Sequence, residues 1–314
     1  MNLIRMVRSI RALHEVAEQG SFSAAAGSLG LTQSAVSQHV AALERETGLR
    51  LVERGTRPMV LTDAGHVLVR HGRAIDARLE AAEQELAEIA GRRAGRLRFG
   101  SFPTALTTFV PAALGRLRTE HPAIVLTVVD DHMQGLLPRL TDGELDLAVV
   151  YAHETLPEVT AGRLRLVHLF DDAYRVVLPA GHRLARRRAA LTLPDLANEA
   201  WVGGHTGSAW FRIVRRACRA AGFDPRTLLS SDDYRAVQAF VAAGLGVALI
   251  PGLAVVNPTP GVEVRRLRSG APVRRIGVAH LDDDVLPPSV SAMTAILRDV
   301  TRRLVVEPAA QRRA

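Results

Sequence analysis

The chain has 314 residues, of which 47% are hydrophobic, and a formal net charge of +8 in which every basic residue is an arginine. This length and apolar content predict two or three folded domains and exclude a wholly disordered chain. The single cysteine, Cys218, excludes an intrachain disulfide and a cysteine-based zinc site. The net charge suits a polyanionic partner but does not identify one.

Residues 21–62 predict two short helices joined by a tight turn and followed by a basic hairpin. Ser21 is an N-cap residue type in front of an alanine-rich helix, and Gly30 can end that helix in a left-handed conformation. Thr32 can cap a second helix that runs to about Thr47. This order of elements is typical of a winged helix-turn-helix, which binds DNA.

The second helix has one apolar and one polar face. Val36, Val40 and Leu43 recur at helical spacing and are expected to face the domain core. A recognition helix presents base-reading side chains from its amino-terminal end, where glutamine can bind an adenine edge and serine a base or phosphate. Arginines of the hairpin suit phosphates or a minor groove. The predicted DNA-contacting residues are Thr32, Gln33, Ser34, Ser37 and Gln38 on the helix, and Arg54 and Arg57 on the hairpin.

Residues 63–90 predict one long helix with a coiled-coil seam. Apolar residues recur every seven positions, and mixed charges occupy the flanks. About 28 helical residues span roughly 40 Å, which is long for a helix of a small domain. The alternative is an amphipathic helix packed on its own domain. The predicted dimerisation residues are Leu68, Ile75, Leu79, Ala82, Leu86 and Ile89, with Gly72 in the second seam position.

From Arg96 onwards the pattern alternates between strands and helices. The near-continuous apolar segment 123–130 predicts a strand buried on both faces of a parallel sheet. The order of elements predicts two α/β halves, joined by two crossing strands, with a cleft between them. Ligands of such sheets bind beyond the carboxyl ends of strands, at helix N-termini. That rule selects residues 101–104, 131–133 and 205–208; the alternative is that their hydroxyl groups only cap helices.

The stretch ALHEVAEQGSFSAAAGSLGLTQSAVSQHVAALERETGLRLVER, followed by LTDAG at 61–65, resembles the DNA-binding domain of LysR-type transcriptional regulators. Ser34 stands where many members carry proline. The α/β remainder resembles the family's effector domain, which is similar to periplasmic solute-binding proteins. Family position favours Ser101, Thr104, Thr206 and Ser208 as effector contacts. His205, which precedes the same helix as Thr206 and Ser208, is a further candidate.

The resemblance implies an α/β fold class with an all-α N-terminal part. The implied domains are a winged helix-turn-helix at 9–66, a linker helix at 67–91, a two-lobed effector domain at 96–306 and a tail at 307–314. Within the effector domain, lobe I is implied at 96–162 together with 269–306, and lobe II at 163–268.

The implied function is sequence-specific transcriptional regulation, modulated by a small-molecule effector of unknown identity. The expected partners are double-stranded promoter DNA with an inverted repeat, a second copy in a dimer or tetramer, and RNA polymerase. No enzyme motif is present, and we expect no catalysis, metal or cofactor, no membrane association and a cytoplasmic location. The alternatives are a solute-binding module without regulation and a nonspecific architectural DNA-binding protein.

Overall fold

The computed structural model describes residues 6–53, 58–89, 95–153, 164–282 and 286–306. Three short helices and one long helix come first, and strands alternate with helices after them. The predicted fold class, an all-α beginning followed by an α/β remainder, is therefore confirmed. Three predicted features, Arg54, Arg57 and the tail 307–314, lie outside the described residues.

The amino-terminal helices begin and end where their local sequence signals predict. The Ser21 hydroxyl accepts a hydrogen bond from the Ala24 N–H at 3.2 Å, and the Thr32 hydroxyl accepts one from the Ala35 N–H at 3.2 Å. Gly30 ends the second helix with a φ of 64°, in the left-handed region. These helices are α1 (Val7–Gln19), α2 (Phe22–Leu29) and α3 (Gln33–Thr47).

The next helix, α4 (Asp63–Ile89), begins within the segment predicted as the DNA-binding domain. Its residues Leu68 and Val69 are buried in one apolar core with residues of α1, α3 and the hairpin. The first turns of α4 are therefore part of that domain. We call α1 to α3, the hairpin and residues 63–72 the head.

A seven-stranded sheet runs through the described part of the α/β region. Its order is β2-β1-β3-β9-β4-β7, with β8 also paired to β4. As predicted, β1 pairs in parallel with β2 and β3. Next in the sheet, β9 pairs antiparallel with β3, and β4 pairs antiparallel with β9. These strands are β1 (Arg96–Ser101), β2 (Val125–Asp130), β3 (Leu147–Ala152), β4 (Leu164–Pro179), β7 (Ala248–Pro251), β8 (Val262–Arg265) and β9 (Val273–Leu281).

The expectation that segment 123–130 is buried on both faces is wrong. Its strand β2 pairs only with β1 and lies at the edge of the sheet. Val125 and Val128 are 63% and 42% exposed. Sequence apolarity indicated the strand correctly, but position within a sheet, and hence burial, depends on neighbours that periodicity does not specify.

Two long strands, β4 and β9, join the lobes as predicted, but the crossing point differs from the implied boundary. From Leu164 to Ala173, β4 pairs with β9 beside the first lobe. From Tyr174 to Pro179, it pairs with β7 and β8 of the second lobe. The chain therefore crosses near Ala173, and the implied lobe boundary at 162/163 is too early because one continuous strand serves both lobes.

Helices cover these strands and complete both lobes. A separate parallel pair, β5 (Ala200–Gly203) and β6 (Arg226–Ser230), lies in the second lobe. Among the described residues, no helix has both the length and the apolar character needed to cross a bilayer. The remaining helices are α5 (Pro103–Leu106), α6 (Val110–Glu120), α7 (Met133–Thr141), α8 (Ala209–Ala220), α9 (Tyr234–Ala242) and α10 (Pro288–Val306).

Candidate DNA-recognition helix and effector cleft

The amino-terminal end of α3 presents polar side chains to solvent. Gln33, Ser34, Ser37 and Gln38 are exposed, while the opposite face of the helix is buried in the head core. Thr32 is also exposed, but its hydroxyl caps the helix and lies 3.0 Å from the Ser34 hydroxyl. Within the described part of the chain, no hydrogen bond is made by the side chains of Gln33, Ser37 and Gln38, which leaves all three available to DNA.

A short β-ladder holds the hairpin that follows α3. The Glu53 N–H donates to the Val60 carbonyl at 2.8 Å, and the Thr62 N–H donates to the Leu51 carbonyl at 3.1 Å. The ladder supports the predicted wing. The predicted phosphate contacts Arg54 and Arg57 belong to the segment 54–57 of this hairpin, outside the described residues.

The predicted seam of α4 divides into two parts. Leu68 is a correction: it is buried in the core of the head and is not accessible to a second chain. Gly72 is buried as well, facing Ile10 of α1. The alternative of packing on its own domain therefore applies to the first turns of α4.

Beyond the head, α4 carries an exposed apolar row. Ile75, Leu79 and Leu86 are 42%, 50% and 66% exposed, and Ala82 is exposed beside them. Ile89 ends the helix, and its side chain is outside the described atoms. A row of this kind, at heptad spacing, leaves the seam prediction open for these residues.

A cavity of about 850 Å³ lies between the two lobes. Of the predicted effector contacts, Thr104 at the start of α5 and Ser208 at the start of α8 line it. The Ser208 hydroxyl also caps α8, accepting a hydrogen bond from the Phe211 N–H at 3.1 Å. From the third predicted place, His132 lines the cavity, whereas Met133 is buried in the core.

The other predicted contacts do not line this cavity. Ser101 is fully buried at the end of β1, because the last residues of this strand are enclosed by the first lobe. Thr206 is exposed on the loop before α8. His205 is exposed too, and its ring Nδ1 lies 3.3 Å from a carboxylate oxygen of Asp232. These positions do not support direct effector contact in this arrangement of the lobes.

Arg274 lines the cavity and belongs to a buried ion pair that the sequence did not single out. Arg274 of β9 donates from Nε to the Asp172 carboxylate of β4 at 2.8 Å. Its Nη2 donates to the Thr104 hydroxyl at 2.8 Å. Burial lowers and the Asp172 carboxylate raises the pKa of Arg274, and the net change is upward. The guanidinium therefore stays charged inside the protein.

Aromatic rings from both lobes line the cavity together with Arg274. Phe102 and Tyr151 of the first lobe meet edge to face with ring centroids 5.0 Å apart, as do Trp210 and Tyr234 of the second. Burial raises the pKa of Tyr234, so its phenol stays protonated. The Arg274 guanidinium lies over the Phe102 and Tyr151 rings at 5.0 and 5.2 Å. The cavity thus has aromatic walls and a cationic floor.

A sequence signal for Arg274 did exist. In β9, Arg274 shares the inward phase with Ile276 and Val278, while Arg275 points outward. A charged residue in the buried phase of an apolar strand requires a partner, and is a candidate for function.

Cys218 is buried in α8, as predicted. Burial, with a smaller contribution from Asp224, raises the pKa of its thiol to about 12. The thiol therefore remains protonated and is a poor nucleophile at neutral pH. No group of three or more metal-ligating side chains occurs among the residues that the structure describes.

Comparisons with known proteins agree with this architecture. The model described as "Bacterial regulatory helix-turn-helix protein, lysR family" matches residues 7–66, and "LysR substrate binding domain" matches 90–302. A probable hydrogen peroxide-inducible genes activator of Mycobacterium avium is 37% identical over 287 residues, covering 87% of this chain and 86% of that protein. The regulator CbbR of Rhodospirillum rubrum is 30% identical over 305 residues, covering 95% and 97%.

Solved structures give the same result. A full-length OxyR from Pseudomonas aeruginosa, with a cysteine-to-aspartate substitution, superposes with a TM-score of 0.70 at 25% identity and covers 93% of this chain and 97% of that one. CbnR in complex with its target DNA has a TM-score of 0.63 at 20% identity, covering 94% and 99%. The second likeness is one of fold alone.

Proposed function

The chain belongs to the LysR family of transcriptional regulators, and on that premise we propose how its head selects DNA and how its cleft receives the effector. Members of this family are DNA-binding regulators modulated by a small molecule in the substrate-binding domain. The finer assignments to individual residues are proposals.

The observation that carries the effector proposal is the cavity between the lobes. Thr104 and Tyr151 come from the first lobe, and Ser208 and Trp210 from the second. A ligand that touches both groups binds one arrangement of the lobes more tightly than another. That difference in affinity is what shifts the equilibrium between regulatory states, because a ligand that binds both equally changes nothing.

For DNA reading, we propose that the exposed start of α3 enters a major groove. Gln33 and Gln38 offer amides that match an adenine edge, and Ser37 a hydroxyl for a base or phosphate. Replacing Gln33 by Ala should relax specificity at one base position by about 1–3 kcal/mol. A uniform loss across all sequences would assign Gln33 to the backbone instead.

Arg54 is proposed as a phosphate contact from the hairpin. The variant Arg54→Ala should weaken binding similarly for all sequences and reduce the slope of log K against log salt by about one. Filter-binding titrations over a salt series measure that slope. A slope equal to that of the wild type would remove Arg54 from the contact set.

Several relatives are named for activating genes that hydrogen peroxide induces. We do not propose a thiol-based peroxide response for this chain. A disulfide within the chain needs two cysteines, and Cys218 is the only one. It is buried, with a thiol pKa of about 12. We therefore propose a reversibly bound effector. Footprints should be the same before and after mild peroxide treatment, and Cys218→Ala should not alter them; a peroxide-dependent change that Cys218→Ala abolishes would contradict this.

The proposed partners are promoter DNA, a second copy of the chain along the exposed row of α4, and RNA polymerase. A twofold dimer matches an inverted repeat because each head reads one half-site. We place the protein in the cytoplasm, where the promoter lies, and propose neither a cofactor nor catalysis.

The experiment that tests this function is selection of bound genomic fragments by the full-length protein, followed by footprinting with and without candidate metabolites. An interrupted inverted repeat whose protection changes with a metabolite supports the proposal. Weak, salt-sensitive binding without sequence preference would favour the architectural alternative. Metabolite binding without any DNA site would favour a solute-binding module.

A further inference from the structure

The floor of the cleft holds hydrogen-bond donors that the protein does not use. Arg274 is only 3% exposed, yet it lines the cavity. A guanidinium has five N–H groups, and hydrogen bonds to Asp172 and Thr104 use two of them. Within the described residues, the remaining N–H groups have no acceptor. Since Thr104 accepts from Arg274, its own hydroxyl proton is free to donate as well.

The carboxylates in and beside the cavity already accept hydrogen bonds from the protein. The Asp172 carboxylate, 6% exposed, binds Arg274 and also accepts from the Leu253 N–H at 3.1 Å. At the other side of the cavity, Asp233 caps α9 by accepting from the Arg235 N–H at 2.7 Å. Asp232 accepts from the exposed His205. Among the described residues, the buried end of the cavity therefore presents more hydrogen-bond donors than acceptors. A ligand that supplies an acceptor there satisfies N–H groups that are otherwise buried without a partner, which is costly in free energy.

The aromatic side chains that line the cavity indicate what the rest of the ligand is. The Phe102–Tyr151 pair and the Trp210–Tyr234 pair approach the cavity from opposite lobes. Such walls favour a flat apolar body, which can stack or meet ring edges from both sides. A carboxylate on that body matches a guanidinium in a water-poor site, where charge-assisted hydrogen bonds are strongest.

We propose that the effector is an aromatic carboxylate whose carboxylate accepts hydrogen bonds from Arg274 and Thr104 and whose ring lies between the two aromatic pairs. The assignment rests on the proposed function, because it names the chemistry of the ligand for the same cleft. The anion also competes with Asp172 for the guanidinium. Since Asp172 binds Leu253 of the second lobe, that competition gives the ligand a direct effect on the contact between the lobes.

The test uses rings matched in shape and different in charge. Benzoate, benzamide and benzylamine, and the corresponding set built on naphthalene, are titrated into the full-length protein, and binding is followed by Trp fluorescence and calorimetry. At least one carboxylate is expected to bind, at least tenfold more tightly than its own amine, with the amide in between. The proposal is overturned if no carboxylate binds, or if an amine binds as tightly as its carboxylate.

Three variants test whether Arg274 is the anchor, the residue that binds the carboxylate of the ligand. The double variant Arg274→Gln with Asp172→Asn removes both charges together, which avoids leaving either one buried without its partner. It should lose the preference for carboxylate over amine. Thr104→Val keeps the ion pair, and should weaken carboxylate binding about fivefold to tenfold. Arg212→Gln is the matched control, because Arg212 lines the cavity from an exposed position and donates to the Gly207 carbonyl.

Each outcome has a meaning of its own. If the carboxylate preference survives in the double variant, or is lost equally in Arg212→Gln, Arg274 is not the anchor. If the double variant does not fold, Thr104→Val decides, and an unchanged affinity there overturns the assignment. Footprinting separates this from the proposed function: a neutral or cationic metabolite that alters protection leaves the regulator intact and refutes the carboxylate.

Discussion

Substituting Gly72 by Ala tests how α4 is joined to the DNA-binding head. A Cβ at this position would lie well under 3.0 Å from the Cγ2 of Ile10 and 3.5 Å from its Cβ. Ile10 is itself buried in the head core, so neither side chain has free space to enter. The close approach of α1 and α4 therefore depends on the missing side chain of Gly72.

The size of the effect follows from two opposing terms. Alanine is about 1 kcal/mol better than glycine inside a helix, which stabilises the variant. Forcing an extra methyl group into a packed core costs about 1–3 kcal/mol. Gly27→Ala in α2 carries the helix term alone, because a Cβ added at Gly27 would meet nothing within 4 Å. The head should thus be about 1–3 kcal/mol less stable in Gly72→Ala than in Gly27→Ala.

The assay separates the head from the rest of the chain. Both tryptophans, Trp201 and Trp210, lie in the effector domain, so their fluorescence does not report on the head. Circular dichroism of the helices reports on both domains. Gly72→Ala should lower the head's Tm relative to Gly27→Ala, by about 4–8 °C per kcal/mol, and leave the fluorescence transition unchanged.

A second substitution checks the cause. Ile10→Leu moves the branch from Cβ to Cγ and removes the methyl group that Gly72→Ala would meet. The double variant should recover most of the lost stability, at a cost below about 1.5 kcal/mol for the swap itself. If Gly72→Ala is stabilised as much as Gly27→Ala, the close packing of α1 on α4 is wrong.

Three further predictions concern acid stability, the contact between head and first lobe, and dimerisation. Burial, and after it the charge of Arg274, lowers the pKa of His153 to about 4. The unfolded chain therefore takes up a proton first as the pH falls, and the unfolding free energy decreases from about pH 6.5 to 4, by at most about 1.4 kcal/mol per pH unit. Urea titrations should show a smaller loss over this range in His153→Gln than in the wild type. Arg73 of α4 donates to Glu144 of the first lobe at 2.6 Å, so Arg73→Gln should increase the radius of gyration in small-angle scattering, and an unchanged radius would contradict this role. Leu79→Glu should raise the dimer dissociation constant at least tenfold in sedimentation equilibrium, whereas Leu245→Glu, at 41% exposure a control, should not.

Much of the head was predictable because its signals are local. A capping hydroxyl, a left-handed glycine and an apolar stripe act within one or two turns of the chain, and Thr32, Gly30 and Val36 lie where these signals indicate. The exposed face of α3 followed from the same periodicity. Local patterns failed at Leu68, because heptad spacing does not distinguish a seam between chains from a helix packed on its own domain.

The sequence alone determined the order of the elements, the family and the boundaries of α2 and α3, because each depends on residues close together in the chain or on a contiguous motif. Only the tertiary structure decided the chemistry of the cleft. Arg274 meets Asp172 across 102 positions and Thr104 across 170. It also decided that Ser101 is enclosed and that β2 lies at an edge. Burial and charge pairing depend on which distant segments meet in the fold, and no local periodicity records that.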